Sequence, residues 1–373
     1  MTDIAATLNH AGIPCWEYGL TAIDAYIGHV MKSPIGFYLV EGSIVDLARN
    51  FEKLEYPSLP YADASLGAET AGFEARFLCV DTVHKKNLGS LVLTDFRRNP
   101  LDGRFHDPQT LYPALKERLF NPENEGGENA LFETALYVSR LQAIRNPQAG
   151  ADAQPASMAP LPRQAAPLWQ RDLLSLILQG EHSAAAFDFL KDCGFIKTYW
   201  TDLDALLLVD HAKDCHPEGG GWSHTMEALG YRKSLDLTVS LAILLHDIGK
   251  PHAASSEGRR FDKHAEIGAR LAARFLRTLG FSSRIVDDVA FMIRWHMLPA
   301  ALPRIPISSV SDIVMDSRFI DLLEVFRCDE FSTFKGPDVY YASCAAYKAF
   351  IKNSRNPYRD KDGRKKAEIY SRR

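Results

Sequence analysis

The sequence has no C-x-x-C pair, no long apolar run and no basic surplus. Its six cysteines, at positions 15, 79, 193, 215, 328 and 344, are scattered over 373 residues. That spacing gives neither a disulfide framework nor a cysteine metal cluster. No apolar stretch approaches the roughly 20 residues a membrane helix requires, so no membrane partner is expected. The opening MTDIAATLNHAG has neither the basic start nor the apolar core of a secretory signal, and with the cysteine pattern it leads to an expected cytoplasmic setting. With 43 Lys and Arg against 47 Asp and Glu, the net charge of −4 argues against bulk electrostatic capture of nucleic acid. Only the tail RDKDGRKKAEIYSRR is locally basic. Internal repeats are also lacking.

What is present divides the chain. GFYLVEGS (36–43), FEARFLCVDT (73–82) and SLVLTDFRRN (90–99) are short β-rich runs bounded by turn residues, with a helical VDLARNFEKL between the first two. A loop, PENEGGEN (122–129), precedes a predicted helix, ALFETALYVSRLQAIR, and then an Ala- and Pro-rich linker. From Leu168 onward the apolar spacing is helical: Leu173, Leu174, Ile177 and Leu178 form one stripe, and Ile267, Leu271, Phe275 and Leu279 another. LDLTVSLAILL alternates as a strand would at its start, but its length and the Gly-Lys-Pro stop assign it to a helix. The expected fold class is α+β, a mixed α/β domain followed by an all-α domain.

The polar residues of the second half stand where apolar ones are expected. LAILLHDIGKPHAA runs five apolar residues into His246 and Asp247, groups that are costly to bury unless paired or coordinated. His296 continues the stripe of Ile285, Val289 and Ile293, and Asp329 that of Leu322 and Val325. His264 opens a helix, and His224 follows Trp222 and a candidate capping Ser223. Any one of these alone reads as a hydrogen-bonded core residue. Together, four imidazoles and two carboxylates from about five helices make a ligand set suited to Zn, Fe or Mn. A cation would offset the burial of Asp247.

These residues resemble a known family. His224, His246-Asp247 and Asp329 are similar to the H…HD…D signature of the HD-domain metal-dependent phosphohydrolases, with HDIGKP as the central string. The run from LLSLILQG through CHPEGGGWSHTMEAL further resembles the neck and HD start of bacterial tRNA nucleotidyltransferases and poly(A) polymerases. The resemblance implies a nucleotidyltransferase-like α/β domain over 1–121, a helix and linker over 122–167, a helical neck over 168–215, an HD domain over 216–352 and a basic tail over 353–373. Those polymerases follow a Gly-Gly or Gly-Ser turn with an Asp-x-Asp pair for two magnesium ions. FYLVEGSIVDLARNF offers Gly42-Ser43 and LVLTDFRRNP is similar to a further segment, but Asp63 is partnered by Ser65 and Asp81 stands alone. The head therefore reads as degenerate.

The main expectation is a metal-dependent phosphohydrolase acting on a nucleotide or RNA phosphate. His224, His246, Asp247, His264, His296 and Asp329 would hold one or two divalent ions (Fe, Mn, Zn, Ni or Co, with Mg also compatible), two with Asp247 bridging being favoured. Lys250 sits either against a substrate phosphate or as a solvated helix end. Arg259, Arg260 and Lys263 widen the phosphate site or form plain charged surface. The alternatives are a tRNA 3′-end (CCA-adding) nucleotidyltransferase with a diverged head, and a non-catalytic RNA- or nucleotide-binding HD protein.

Overall fold

The computed structural model describes residues 4–29, 35–57, 59–67, 73–80, 96–108, 110–117, 119–120, 130–143, 161–209, 220–253, 261, 263–333, 336–356, 359–362 and 364. The chain forms two compact units, Met1–Tyr199 and Trp200–Arg373. Arg259, Arg260, Asp81, the loop 122–129 and most of the CHPEGG string lie outside the described residues.

The first unit is built on a seven-stranded sheet. Its strands are β1 (Cys15–Tyr18), β2 (Ile35–Val40), β3 (Leu54–Glu55), β4 (Ala64–Gly67), β5 (Glu74–Cys79), β6 (Arg97–Arg98) and β7 (Phe105–His106), in the order β3-β4-β5-β2-β1-β6-β7. β2 and β5 run parallel, Val40 opposite Cys79, and every other pair is antiparallel. The helices are α1 (Ile4–His10), α2 (Leu20–Ile27), α3 (Ile44–Asn50), α4 (Tyr112–Glu117), α5 (Ala130–Arg140), α6 (Pro167–Leu178), α7 (Ser183–Asp192) and α8 (Phe195–Tyr199). Ile4, Leu8 and Leu47 of α1 and α3 pack with Val40, Ala64, Ala75 and Phe77 of the sheet into one core. A second core joins Ala22, Ile23, Phe96, Tyr137 and Leu141. The helix expected over ALFETALYVSRLQAIR stops at Arg140. There the Arg140 guanidinium turns inward to Asp24 (2.9 Å) and to the carbonyl of Leu176 (2.8 Å).

A buried ion network joins sheet to helix in this unit. Arg76 of β5 meets Asp172 of α6 in a two-pronged contact, Nε to Oδ2 and Nη2 to Oδ1, both 3.0 Å. Tyr61 Oη donates to the same carboxylate at 3.1 Å. Arg76 also reaches Glu74, as does Arg171. Both Arg76 and Asp172 are buried. Such a pair is costly to bury and more costly to break.

The second unit is helical throughout its described residues: α9 (Thr201–Asp204), α10 (Gly221–Gly230), α11 (Leu237–Leu245), α12 (His264–Thr278), α13 (Ser283–Trp295), α14 (Leu298–Ala301), α15 (Ser311–Val314), α16 (Phe319–Phe331) and α17 (Asp338–Ser354). Mixed α/β and all-α halves follow in the expected order. LDLTVSLAILL is α11 because Val239 to Leu245 are buried on every side, so a strand-like alternation carries no information there. Asp236 caps it by accepting from the Val239 amide (3.0 Å), and Arg232 donates to the buried Ser240 hydroxyl (2.7 Å). Ser223 is not a cap. Helix α10 begins at Gly221, whose amide donates to the Val209 carbonyl (2.9 Å), and a Cβ on Gly220 would stand 2.8 Å from that oxygen. The glycine string is there for close backbone approach.

Replacing Asp172 with Ala removes the two-pronged partner of the buried Arg76 and leaves it the half-buried Glu74. We expect a loss of about 3–5 kcal/mol in urea denaturation, whereas the double variant Arg76→Met/Asp172→Leu loses much less. Equal losses in the two would show that the contact carries no charge penalty.

Candidate metal centre

Five elements of the helical unit each deliver ligands to one place. His224 lies inside α10; His246 and Asp247 follow the last residue of α11; His264 opens α12; His296 follows α13; Asp329 lies in the last turn of α16. His224, His246, Asp247 and His296 are at most 1 % exposed. His264, expected near the surface, is half-buried and turned inward. The side chains form two groups, His224/His246/Asp329 and Asp247/His264/His296, each with ligand atoms within 4.8 Å of one another. Either group could hold a divalent ion.

The hydrogen bonds fix how the rings face. His246 Nδ1 donates to the Ile243 carbonyl (2.8 Å), His264 Nδ1 to that of Phe261 (2.9 Å) and His296 Nδ1 to that of Ile293 (2.7 Å). A carbonyl can only accept, so each neutral ring presents its Nε2 lone pair to the cluster. Nε2 atoms of His224 and His246 lie 3.3 Å apart, and so do those of His264 and His296. Two ring nitrogens this close need a proton or a cation between them.

The carboxylates complete the case. Asp247 Oδ2 lies 2.5 Å from Lys250 Nζ, 3.2 Å from His246 Nε2 and 3.7 Å from His224 Nε2, yet no donor meets this buried atom with hydrogen-bond geometry. Its Oδ1 faces His264 Nε2 at 3.8 Å. The two oxygens of Asp247 thus look toward the two groups separately. Asp329 Oδ1 is 3.1 Å from His224 Nε2 and 3.7 Å from His246 Nε2. Burial would lower the pKa of His246, but Asp247 and Asp329 outweigh it and lift it to about 10. Burial and the positive His246 push His296 down to about 4. Although burial opposes it, His246 and Lys250 hold Asp247 well below the usual carboxylate range. The histidines do the same for Asp329. The centre calls for positive charge, and its imidazole and carboxylate donors fit a divalent ion.

Backbone packing sets the positions. A Cβ on Gly249 would stand 2.1 Å from the His264 carbonyl oxygen and 2.5 Å from the Gly268 amide nitrogen. The glycine of HDIGKP is what lets the α11 end lie against the start of α12. Lys263 precedes α12 in the left-handed conformation (φ 59°) with its side chain exposed. The Lys250 ammonium also sits 5.7 Å from the centre of the Phe261 ring. Phe261, Gly268 and Ser332, which accepts from or donates to His224 Nδ1 at 3.1 Å, were not singled out by sequence. Only the i+3 spacing of Ser332 from Asp329 could have marked it.

In the sheet unit, Gly42-Ser43 follows β2 and Asp63 precedes β4, at the same end of the sheet, because β4 runs antiparallel to β5 and β5 parallel to β2. Asp63 accepts from the Cys79 amide (2.9 Å). The Ser43 turn is a capping box closed by Asp46, whose carboxylate accepts from the Ser43 amide (2.9 Å) and hydroxyl (2.7 Å).

Residues 222–317 match the model of the HD domain family, so the helical unit carries an HD domain. Among curated proteins, the chain is 30% identical over 132 residues to a multifunctional CCA protein of Alkalilimnicola ehrlichii, covering 35% of this chain and 32% of that one. It is 33% identical over 135 residues to the CC-adding tRNA nucleotidyltransferase of Thermus thermophilus, covering 34% and 31%. The chain thus spans about a third of the length of these relatives. A solved CCA-adding enzyme with ATP superimposes with a TM-score of 0.42 at 12% identity, over 94% of this chain and 82% of that one. Likeness of that degree fixes no activity. The relatives do correct the main functional expectation: one is named a CC-adding tRNA nucleotidyltransferase, the other a multifunctional CCA protein, and neither is named for phosphate hydrolysis. The physical reason is that ligands such as these determine where a cation meets a phosphate, not whether water or a ribose hydroxyl attacks it.

Gly249→Ala forces the His264 backbone away and should destabilise the chain by about 3 kcal/mol, the upper end of overpacking costs. It should also lower divalent-ion uptake, read by calorimetry. Unchanged stability and uptake would mean that the close approach is not required.

Proposed function

We propose that the chain acts at the 3′ end of tRNA as a nucleotidyltransferase of the CCA-adding kind, with a diverged head and a metal-holding HD domain. The observation that carries this reading is the identity to CCA- and CC-adding proteins. The sheet gives it support, since Asp63 and the Gly42-Ser43 turn share one end. Asp63 would hold a magnesium ion beside the nucleotide triphosphate, the substrate with the RNA end. Two-metal phosphoryl chemistry normally uses more than one carboxylate, and Ser65 offers a hydroxyl in that position.

In the HD domain, His224, His246 and Asp329 would hold one ion and Asp247, His264 and His296 a second, with Asp247 between them. The imidazole-rich set suits Fe, Mn, Zn, Ni or Co over Mg. An ion there supplies positive charge to a phosphate oxygen of the nucleotide or RNA end. Lys250 would take part as a point charge held ready by Asp247.

A specific observation favours a second reading, a protein that binds tRNA ends without extending them: Asp46 already fills the Ser43 turn with a carboxylate, where a phosphate would have to compete. The discriminating experiment supplies tRNA lacking its 3′ CCA with labelled CTP and ATP. Incorporation should occur and should fall on the order of 100-fold in Asp63→Ala, the effect of losing several kcal/mol of metal charge stabilisation. Tight tRNA binding without incorporation would instead establish the second reading, and absence of both would overturn the proposal. His246→Ala and Asp247→Ala should abolish ion uptake in the HD domain; retained uptake would move the metal elsewhere.

A further inference from the structure

Three of the four imidazoles take their orientation from a backbone carbonyl three residues earlier in the chain. His224 cannot. It lies within α10, whose carbonyls are committed to the helix, and its Nδ1 instead faces the hydroxyl of Ser332, 3.1 Å away, on the residue that ends α16. Ser332 is buried, 2 % exposed. Its Oγ also lies 2.7 Å from the carbonyl oxygen of Asp329 and donates to it. A serine hydroxyl has one proton. With that proton given to Asp329, Oγ is left to accept from His224 Nδ1–H, and the His224 Nε2 lone pair then points at His246 and Asp329. One hydroxyl thereby ties together two ligands of the same group, His224 through its ring and Asp329 through its backbone.

We propose that Ser332 is the positioning residue of the ion held by His224, His246 and Asp329, fixing the ring orientation and tautomer of His224 while anchoring the turn that carries Asp329. The inference rests on the metal reading of this cluster and is independent of nucleotide transfer. Outer-shell partners of ligating histidines typically change metal affinity about 10–100-fold. The three carbonyl-held histidines need no such side chain, so the effect falls on one ion only. The group of Asp247, His264 and His296 takes its ring orientation from Phe261 and Ile293 and should be untouched.

The test is calorimetric titration of chelator-treated full-length protein with Co2+, with the visible absorption of the Co2+ form recorded alongside. Ser332→Ala should weaken one of two binding events about 10–100-fold and leave the other unchanged, with a shifted absorption band because one imidazole is no longer held. Ser332→Thr, which keeps the hydroxyl, should restore both. Ser343→Ala is the control, since Ser343 is equally buried and bonded to the Pro299 carbonyl (2.7 Å) away from the ligands. The inference is overturned if Ser332→Ala binds both ions as wild type does, or loses no more affinity than Ser343→Ala. It also falls if Ser332→Thr, folded by circular dichroism, rescues neither affinity nor spectrum. Wild-type protein that takes up no Co2+ overturns the metal reading itself, which separates that failure from the failure of Ser332.

Discussion

Six side chains that each resist burial share one small volume of the helical unit, and the arrangement is tolerable only if positive charge lies among them. Two carboxylates and four Nε2 atoms crowd together at 3.1 to 3.8 Å. No apolar packing would gather them, and simple pairing leaves the Asp247 Oδ2 atom without a hydrogen bond. The helices are cut to fit this demand. His246 and His296 both fall immediately after a helix end, where a ring can turn back to the carbonyl three residues earlier. His264 makes the same bond from a helix start. Gly249 and Gly268 then let the pieces close up. Much of the local geometry here is set by how these six side chains are brought together.

The sheet unit is governed by a different charge problem. Arg76 and Asp172 are both buried, and Tyr61 and Glu74 complete their bonding. Removing one partner of such a pair costs more than the intact pair adds over apolar packing. At the far end of the same sheet Asp46 satisfies the Ser43 turn from within. Asp63, at the same end, is likewise engaged from within, by the Cys79 amide.

Of the candidate ligands, His246-Asp247, His296 and Asp329 were legible in the sequence because they interrupt apolar stripes, and a polar group in a buried position has to be accounted for; His224 and His264 were read from their places at helix starts. His296 after Val289 and Ile293 is the plainest case, and His246-Asp247 after LAILL the next. The order of sheet and helical halves was readable for the same reason, from the period of apolar residues. Contacts made by the backbone were not readable. Nothing in the residue types says that the Phe261 carbonyl orients His264 or that the Val209 carbonyl fixes where α10 begins. Capping was ambiguous: Ser43 does cap a helix and Ser223 does not, because the close approach of Gly220 and Gly221 to Val209 sets the start of α10 ahead of Ser223, at Gly221. Two-residue strands such as β3 and β7 carry too little pattern to be seen, whereas β6 falls within the expected run 90–99.

The functional expectation went wrong at a definable step. Six side chains, gathered as ligands would be, describe where an ion could sit, and the chemistry of an ion is not the chemistry of the whole chain. A cation among imidazoles prepares the phosphorus or its oxygens; the identity of the attacking group is set by what else is delivered to that phosphate, water or a ribose hydroxyl. Those groups come with the substrate and with whatever surface orients it, and they leave no mark on the ligand set. By the same logic, if the sheet unit acts in nucleotide transfer, Asp63 and Ser65 discriminate function more sharply than the six HD-domain side chains do. A ligand set of that kind is compatible with several reactions, whereas a serine in place of a carboxylate would subtract charge stabilisation from one.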